Sequence, residues 1–338
     1  MPKVAINGFG RIGRLVTRAL LYHDKRVDIV GINDLADTEM MAHVFEFDSV
    51  HGRFEGSVEV HPETHNLVLN GDEFTVYTEP DPKNLPWKEL DVDYVVESTG
   101  RFRTREGMQK HLDAGAKRVI LSAPGKGVDI TVVLGVNFDK YDPKRHFLIS
   151  NASCTTNCLA PLCKVLDDNY GIEHGTMTTV HAYTNDQKLL DMQHKDFRRA
   201  RAAAMSIVPT TTGAAKAIGD VMPHLKGKLD GMALRVPTPN VSIVDLTVRL
   251  KTPAANKEEI EERIIEASKN EMKGILGYEW RSLVSIDFNS NPLSSIVDFP
   301  SMMLIDGTLL KILSWYDNEW GYANRIADLI HKMWELEP

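Results

Sequence analysis

The chain has 338 residues, 43% of them hydrophobic and 25% charged, which is typical of a soluble globular protein of about two domains and excludes a disordered or collagen-like chain. A formal net charge of -8 argues against nucleic acid as the main partner, and no apolar run is long enough to span a membrane. The three cysteines fall within ten residues of one another and cannot build a disulfide framework, which favours a reducing compartment.

Through residue 150, short apolar runs alternate with helical stretches. This pattern is typical of a parallel sheet covered by helices on both faces. The predicted strands are Val4–Ile6, Val27–Ile32, Tyr94–Val96, Val119–Leu121, Val132–Leu134 and Phe147–Ile149.

The second half has a different pattern. Val241 to Leu250 alternates apolar and polar residues, which predicts a half-exposed antiparallel strand. Met302–Ile305 and Leu309–Ser314 flank Asp306-Gly307, a strong signal for a hairpin. We therefore expect an α+β region with a sheet of its own.

The sequence predicts two helices in this half. Asn256 is placed to cap a helix, with Glu259 three residues further on. At the C-terminus an amphipathic helix is indicated by the i, i+3, i+4, i+7 spacing of Ile326, Leu329, Ile330 and Met333.

A glycine pattern follows the first predicted strand. Gly8, Gly10 and Gly13 form G-x-G-x-x-G between strand and helix, where a tight turn and a helix N-terminus suit a pyrophosphate, although glycines also serve tight turns alone. Asp34 ends the next apolar run, 21 residues after Gly13, where its carboxylate would accept hydrogen bonds from a ribose and repel a 2′-phosphate. Leu35 offers that phosphate no partner, so NAD is favoured over NADP.

Cys154 lies between a predicted strand and a predicted helix. A helix N-terminus stabilises a thiolate, and a partner histidine would do so further. Cys158 and Cys163 read as core residues, and three cysteines at this spacing on one helix do not converge on a metal, so we expect no metal site. His181 is a candidate partner among twelve histidines, which spacing alone does not separate.

A basic cluster of Lys195, Arg198, Arg199 and Arg201 precedes the hydroxyls and amides of Thr210–Gly213. Together with Arg235 these groups suit phosphate anions. A solvated face with a subunit interface is the alternative.

These residues make the chain resemble phosphorylating glyceraldehyde-3-phosphate dehydrogenases over essentially its whole length. The motifs that carry the resemblance are INGFGRIGR at 6–14, ESTGRF at 97–102, SNASCTTNCLAP at 150–161, HAYTNDQ at 181–187, PTTTGAAKA at 209–217, LRVPTPNVS at 234–242 and WYDNEWGY at 315–322.

The resemblance implies a doubly wound NAD-binding (Rossmann) domain at 1–153. It implies an α+β catalytic domain at 154–318 with a mixed, largely antiparallel sheet, and a C-terminal helix, about 319–338, that returns to the first domain. It also implies a homotetramer located in the cytoplasm, with NAD as the cofactor.

Carried over position by position, the resemblance makes Cys154 the nucleophile and His181 its base. Thr184 and Arg235 match the site for the substrate's own phosphate. The residues that match the site for inorganic phosphate are Ser153, Thr155, Arg199, Thr212 and Gly213. The matches to cofactor contacts, including the glycines of the turn, are Gly8, Gly10, Arg11, Ile12, Gly13, Asp34, Thr99, Ser122, Asn318 and Tyr322.

The implied reaction converts glyceraldehyde 3-phosphate and inorganic phosphate to 1,3-bisphosphoglycerate with reduction of NAD, through a hemithioacetal and a thioester on the cysteine. The alternatives are an erythrose-4-phosphate dehydrogenase of the same superfamily and an NAD-responsive redox-sensing protein. Gln193 departs from the family pattern, since a proline is common there in members that prefer NAD.

Overall fold

The computed structural model describes residues 1–22 and 27–337, which form two compact units. Unit 1 comprises Met1–Val132, Asp139–Ala152 and Ala323–Pro338. Unit 2 comprises Val133–Phe138 and Ser153–Tyr322. Among the described residues, no helix has the length and apolar character needed to cross a bilayer.

The described residues of unit 1 form twelve strands and three α-helices that lie wholly within the unit. Its strands are β1 (Lys3–Asn7), β2 (Asp28–Asn33), β3 (Phe47–Asp48), β4 (Gly52–Arg53), β5 (Val58–Val60), β6 (Leu67–Leu69), β7 (Asp72–Phe74), β8 (Val76–Tyr77), β9 (Tyr94–Glu97), β10 (Arg118–Leu121), β11 (Ile130–Thr131) and β12 (Leu148–Ser150). Its helices are α1 (Arg11–Tyr22), α2 (Thr38–Glu46) and α3 (Arg105–Asp113).

Seven of these strands form one parallel sheet in the order β8-β2-β1-β9-β10-β12-β11. The strand order reverses between β1 and β9, as in the Rossmann fold, whose ligands bind at the carboxyl ends of the strands beside this reversal. Strands such as β9 are buried at every position, which explains their continuous apolar runs. The predicted doubly wound class of fold is confirmed for this unit.

One predicted strand of this region is wrong. Val132–Leu134 is buried but not a strand, and the short strand β11 precedes it. The chain turns here because the N–H groups of Val136 and Asn137 both donate to the carbonyl oxygen of Val133, and Gly135 adopts φ 79°. An apolar turn and an apolar strand look alike in sequence. The strands predicted at Val27 and Phe147 start one residue later than expected.

Unit 2 is built on a second, mixed sheet. Its strands are β13 (Ile172–Ala182), β14 (Val208–Thr211), β15 (Leu229–Val236), β16 (Ser242–Leu250), β17 (Leu276–Glu279), β18 (Ser295–Ile305) and β19 (Leu309–Tyr316), and its helices are α4 (Cys154–Tyr170), α5 (Ala214–Val221) and α6 (Lys257–Lys269). The order is β14-β15-β13-β16-β19-β18-β17, with four antiparallel and two parallel pairings. The predicted mixed, largely antiparallel sheet is confirmed.

The local patterns of the second half are confirmed as well. Strand β16 pairs antiparallel on both sides and alternates buried with partly exposed residues. Strands β18 and β19 form the hairpin, with Asp306 and Gly307 at φ 50° and 67° in its loop. The side chain of Asn256 caps α6 by accepting from the Glu259 N–H at 2.9 Å.

The last helix, α7 (Trp320–Glu335), begins in unit 2 and belongs to unit 1 from Ala323 onward. The four apolar positions predicted for its face are fully buried. Beyond it, the carboxylate of Glu337 accepts from the Tyr94 hydroxyl at 2.6 Å and from Arg118 Nη1 at 2.7 Å. This contact holds the end of the chain within unit 1. Short 3-10 helices span Pro82–Asn84, Phe138–Lys140, Ala203–Met205, Pro223–Leu225 and Ser285–Phe288.

Candidate active site

Cys154 is the first residue of α4. Ser153 precedes it as the N-cap, and its hydroxyl oxygen accepts from the Thr156 N–H at 3.1 Å. The thiol of Cys154 therefore lies beside the unpaired backbone amides of a helix N-terminus, which favour a negative charge. Cys154 is partly exposed, whereas Cys158 and Cys163 are fully buried.

His181 lies near the end of β13 with its ring directed at Cys154. The distance from Cys154 Sγ to His181 Nε2 is 3.6 Å. His181 Nδ1 lies 2.7 Å from the carbonyl oxygen of Ala182, an acceptor, and 3.0 Å from Arg235 Nη1, a donor. With the ring proton on Nδ1, Nε2 is free to accept the proton of the thiol. Of the histidines in residues 1–22 and 27–337, the structure brings this one to Cys154.

Arg235 lies beside His181 because the two are register partners on neighbouring parallel strands. Its Nη1 is 3.0 Å from His181 Nδ1, and it donates to the Ala182 oxygen at 2.9 Å and to Thr184 Oγ1 at 3.3 Å. Its Nε is buried without a hydrogen-bond partner among the described residues. A buried, unpaired donor on a guanidinium suits an anion.

The electrostatics of the pair are set by burial. Burial raises the pKa of the Cys154 thiol, while the Arg235 cation and hydrogen bonds from Thr155 act to lower it. Burial and the Arg235 cation lower the pKa of His181 to about 3. From the sequence we expect the pKa of the Cys154 thiol to lie below its usual value. In the structure, burial raises this pKa when no charge on His181 is considered, so the direction is opposite to the expectation. A thiolate and an imidazolium 3.6 Å apart would attract each other, which favours transfer of the thiol proton to His181.

The other two thiols are less acidic still. Burial raises the pKa of Cys158 to about 12 and also raises that of Cys163. Cys158 Sγ lies 3.7 Å from both Ser295 Oγ and the Ser314 oxygen, inside the core. Their interpretation as core residues is confirmed.

A second group of predicted residues surrounds Arg199. Its Nε donates to Thr210 Oγ1 at 3.0 Å, its Nη2 donates to the Thr211 oxygen at 3.3 Å, and its Nη1 is paired with Asp186. The Arg199 cation contributes to lowering the pKa of both His181 and Arg235, after burial, which is the larger cause in each. Arg199 is thus held near the Cys154 pair by protein acceptors.

The remaining predicted phosphate contacts are placed separately. Gly213 is the N-cap of α5, and Thr212 Oγ1 accepts from the Ala214 N–H at 3.2 Å. Thr155 is buried, and its hydroxyl contacts the Tyr316 hydroxyl at 2.8 Å. Direct contacts among the predicted residues therefore link Cys154, His181, Arg235 and Thr184.

Unit 1 carries a cleft beside the glycine turn. Gly8 has φ 96°, and a Cβ there would lie 2.6 Å from the Thr99 nitrogen. A Cβ on Gly13 would lie 2.0 Å from the Gly8 oxygen, so only glycine lets α1 pack on the turn. The cleft is lined by Asn7, Gly8, Gly10, Asn33, Asp34, Leu35, Glu79, Pro80, Ser98, Thr99, Arg101 and Phe102.

Asp34 is fixed at the rim of this cleft. Its two oxygens accept from the Phe9 N–H at 2.6 Å and the Ala36 N–H at 3.0 Å. A second carboxylate, Glu79, also lines the cleft. Glycines without room for a side chain and an acceptor at the end of β2 fit the pyrophosphate and ribose of a dinucleotide.

Not every predicted cofactor contact lines this cleft. Arg11 pairs with Asp48 through two contacts of 3.2 Å, and Ile12 follows it on α1. Ser122 follows β10, and its N–H donates to the Glu97 oxygen at 3.0 Å. Two further predicted contacts, Asn318 and Tyr322, are buried in unit 2. Among residues 1–22 and 27–337, no group of three or more His, Cys, Asp or Glu side chains is arranged to hold a metal.

Comparison with known proteins decides the family. A model described as the NAD binding domain of glyceraldehyde 3-phosphate dehydrogenase matches residues 2–105, and one described as its C-terminal domain matches residues 153–318. The chain belongs to the glyceraldehyde-3-phosphate dehydrogenase family.

Curated relatives of the same name are similar over nearly the whole chain. The one from Geobacillus stearothermophilus is 58% identical over 327 residues, which are 97% of this chain and 96% of that protein. Glyceraldehyde-3-phosphate dehydrogenase 1 of Bacillus subtilis is 56% identical over the same shares, and that of Xanthobacter flavus is 54% identical over 99% of each chain.

Membership of this glyceraldehyde-3-phosphate dehydrogenase family confirms the resemblance seen in the motifs. The protein is an NAD-dependent enzyme with the glycolytic activity of the family, and its cofactor is NAD. The alternatives, an erythrose-4-phosphate dehydrogenase and a redox-sensing protein, are not favoured. Gln193 is exposed, and nothing in the structure explains its replacement of proline.

Sequence reasoning missed one residue of the site, Tyr316. Its buried hydroxyl contacts Thr155 Oγ1 at 2.8 Å and Thr179 Oγ1 at 2.9 Å, and its ring meets that of His181 edge to face at 6.0 Å. The dense aromatic segment around it is visible in the sequence. Its contacts with Thr179 and Thr155, which precede it by 137 and 161 positions, are not visible there.

Proposed function

We propose that Cys154 is the nucleophile of the oxidation and His181 its base. The observation that carries this assignment is the 3.6 Å separation of Cys154 Sγ and His181 Nε2 at a helix N-terminus. His181 Nε2 takes the thiol proton, and the thiolate attacks the aldehyde carbon of glyceraldehyde 3-phosphate to form a C–S bond. The proton returns to the alkoxide, which gives a hemithioacetal.

The next steps need a base and an anion site. When bound, NAD supplies the acceptor for the hydride. His181 Nε2 takes the hydroxyl proton as the hemithioacetal is oxidised, which leaves a thioester on Cys154. An oxygen of inorganic phosphate then attacks the thioester carbon. The C–S bond breaks, the Cys154 thiolate is the leaving group, and 1,3-bisphosphoglycerate is released.

Two arginines serve the two phosphates in this proposal. Arg235, with Thr184, binds the phosphate of the substrate, which is supported by its buried and unpaired Nε. Arg199 serves the inorganic phosphate, together with Ser153, Thr155, Thr212 and Gly213. Since Asp186 already pairs with Arg199, the incoming phosphate shares that guanidinium with a carboxylate.

For the cofactor, we assign the cleft of unit 1. Gly8, Gly10 and Gly13 form the turn for the pyrophosphate, and Asp34 accepts from the adenosine ribose. Thr99 lines the same cleft, whereas Arg11, Ile12, Ser122, Asn318 and Tyr322 remain contacts predicted from the resemblance. The cofactor domain is residues 1–153 with the C-terminal helix, and the catalytic domain is residues 154–318.

We further propose a homotetramer in the cytoplasm. Six large apolar side chains between residues 189 and 207 are 67 to 89% exposed: Leu189, Leu190, Met192, Phe197, Met205 and Ile207. So much apolar surface on one segment is typical of an interface. Light scattering on Phe197→Asp should show species smaller than a tetramer, and an unchanged mass would remove this segment from the interface. Three free thiols suit a reducing compartment.

Labelling the three thiols tests the catalytic assignment. Iodoacetamide below one equivalent should label Cys154 first and abolish activity in proportion. Cys154→Ser should lose turnover and keep NAD binding, because a hydroxyl supplies no anionic nucleophile near neutral pH. Cys158→Ser is the matched control and should retain activity and labelling at Cys154. Activity that survives full labelling of Cys154 would end the covalent mechanism.

A further inference from the structure

A buried polar network lies at the carboxyl ends of three neighbouring strands of unit 1. Asn7, Asn33 and Glu97 end β1, β2 and β9 and are register partners across the sheet. All three are at most 4% exposed, and the neighbouring His111 of α3 is fully buried. The catalytic steps described above use none of Asn7, Asn33, Glu97 or His111.

The hydrogen bonds of 3.0 Å or less in the network have one consistent direction, and Asn7 Nδ2 also lies 3.4 Å from His111 Nε2. The indole N–H of Trp87 only donates, and it reaches His111 Nδ1 at 3.0 Å, so the ring proton of His111 is on Nε2. His111 Nε2 then donates to Glu97 Oε2 at 3.0 Å. Asn7 Nδ2 donates to the same oxygen at 2.5 Å, and Asn7 Oδ1 accepts from Asn33 Nδ2 at 2.7 Å.

The second oxygen of Glu97 bonds Thr99, which lines the cofactor cleft. Oε1 accepts from the Thr99 N–H at 2.9 Å and from the Thr99 hydroxyl. The carboxylate thus has four neutral donors, which use its acceptor sites fully. By accepting from all four, the two oxygens of Glu97 leave none of these buried donors unpaired.

This network determines the position of both turns that border the cleft. The Thr99 nitrogen, held by Glu97, is the atom that a Cβ on Gly8 would approach to 2.6 Å. Asn7 leads into the Gly8 turn, and Asn33 bonds both the N–H and the carbonyl of Glu79, which also lines the cleft. A small displacement of Thr99 therefore changes the width of the cleft.

We propose that Glu97 is a positioning residue for the cofactor: its buried carboxylate, which accepts from His111 and Asn7 at one oxygen, holds Thr99 at the other oxygen over the glycine turn, in the geometry that binds NAD. The proposal rests on the placement of NAD in this cleft. It assigns to His111 a fixed tautomer with no proton transfer of its own.

The test is Glu97→Gln. The amide of Gln turns its NH₂ either toward Asn7 and His111 or toward the Thr99 N–H, and in each orientation two donors oppose each other. We expect the KM for NAD to rise about tenfold or more, which is the usual cost of an unpaired buried donor. The KM for glyceraldehyde 3-phosphate and the alkylation rate of Cys154 should stay unchanged.

Asp93→Asn is the matched control. Asp93 is a buried carboxylate just before the opposite end of β9, where it accepts from the Lys3 N–H and from Lys117. It should lower stability without raising the KM for NAD. An equal rise in both variants would mean that loss of stability alone weakens NAD binding, which overturns the positioning role.

Rescue by a second substitution tests the direction of the bonds. Trp87→Phe alone leaves His111 free to donate to Glu97 and should not change the KM for NAD. Combined with Glu97→Gln, it allows His111 to move its proton to Nδ1 and accept from the amide at Nε2. The double variant should therefore recover at least about threefold in KM over Glu97→Gln, as a double-mutant cycle measures. A double variant no better than Glu97→Gln contradicts the proposal.

If Glu97→Gln does not fold, a measurement on the unsubstituted protein still tests the network. Nitrogen NMR of labelled histidine should show His111 protonated at Nε2 and unprotonated at Nδ1, and the reverse tautomer would overturn the network. The placement of NAD is tested separately by Asp34→Gly. If Asp34→Gly leaves cofactor choice unaltered, the cleft assignment fails; if it alters cofactor choice while Glu97→Gln has no effect on KM, only the role of Glu97 fails.

Discussion

Replacement of His181 by Asn should remove the partner that stabilises the Cys154 thiolate. At 3.6 Å, a thiolate and an imidazolium attract each other by about 4.6 kcal/mol at an effective dielectric constant near 20, or roughly three pK units. Without the imidazole, burial still outweighs the Arg235 cation and the hydrogen bonds of Thr155, so the pKa of the thiol stays above the ordinary 9.0. A raised pKa means that the thiolate forms only at higher pH. At neutral pH we therefore expect alkylation of the variant to slow by about a hundredfold or more.

The assay is the second-order rate of iodoacetamide labelling at Cys154 as a function of pH. The unsubstituted enzyme should react well below pH 9, and the rate of His181→Asn should rise only toward alkaline pH. His174→Asn, an exposed position on the same strand, is the control and should follow the unsubstituted profile. Superimposable profiles for His181→Asn and the unsubstituted enzyme would refute the ion pair.

Three further outcomes are expected. Arg235→Leu should reduce kcat/KM for glyceraldehyde 3-phosphate by about 10- to 150-fold, because the substrate loses a charged hydrogen bond. An unchanged kcat/KM in steady-state kinetics would assign the arginine a structural role only. Asp34→Gly should raise kcat/KM with NADP, because a carboxylate no longer faces the 2′-phosphate; equal efficiency with NAD and NADP in the unsubstituted enzyme would contradict this reasoning. Glu337→Gln should lower the free energy of unfolding by about 1–3 kcal/mol, since Arg118 loses a nearly buried counter-charge. Thermal melting measures this loss, with exposed Glu335→Gln as the control, and identical melting temperatures would show that the contact adds no stability.

The sequence predicts those parts of this molecule that depend on neighbours along the chain. The cap at Asn256, the hairpin at Asp306 and the buried face of α7 are local patterns, and all are present. Val132–Leu134 was predicted wrongly because an apolar run reports burial and does not distinguish a strand from a turn closed by Asn137.

The candidate site divides in the same way. A helix N-terminus at Cys154 follows from the local pattern, but the approach of His181 depends on how β13 packs against α4. Tyr316, on β19, comes from still further along the chain and had no local signal. The resemblance supplied His181, and only the fold shows why Arg235 lies next to it: the two are register partners on parallel strands.

The path of α7 has a consequence for synthesis. Unit 1 includes residues from 323 onward, which the ribosome adds after the whole of unit 2. The first 132 residues of unit 1 therefore stay without its last helix while the 170 residues from 153 to 322 are translated. This takes roughly 10–30 s at about 5–20 residues per second. During that time the nascent unit lacks the helix face of Ile326, Leu329 and Ile330 and exposes the apolar surface that this face covers. The first unit to emerge is the last to be completed, so the nascent chain should need a chaperone most during this interval.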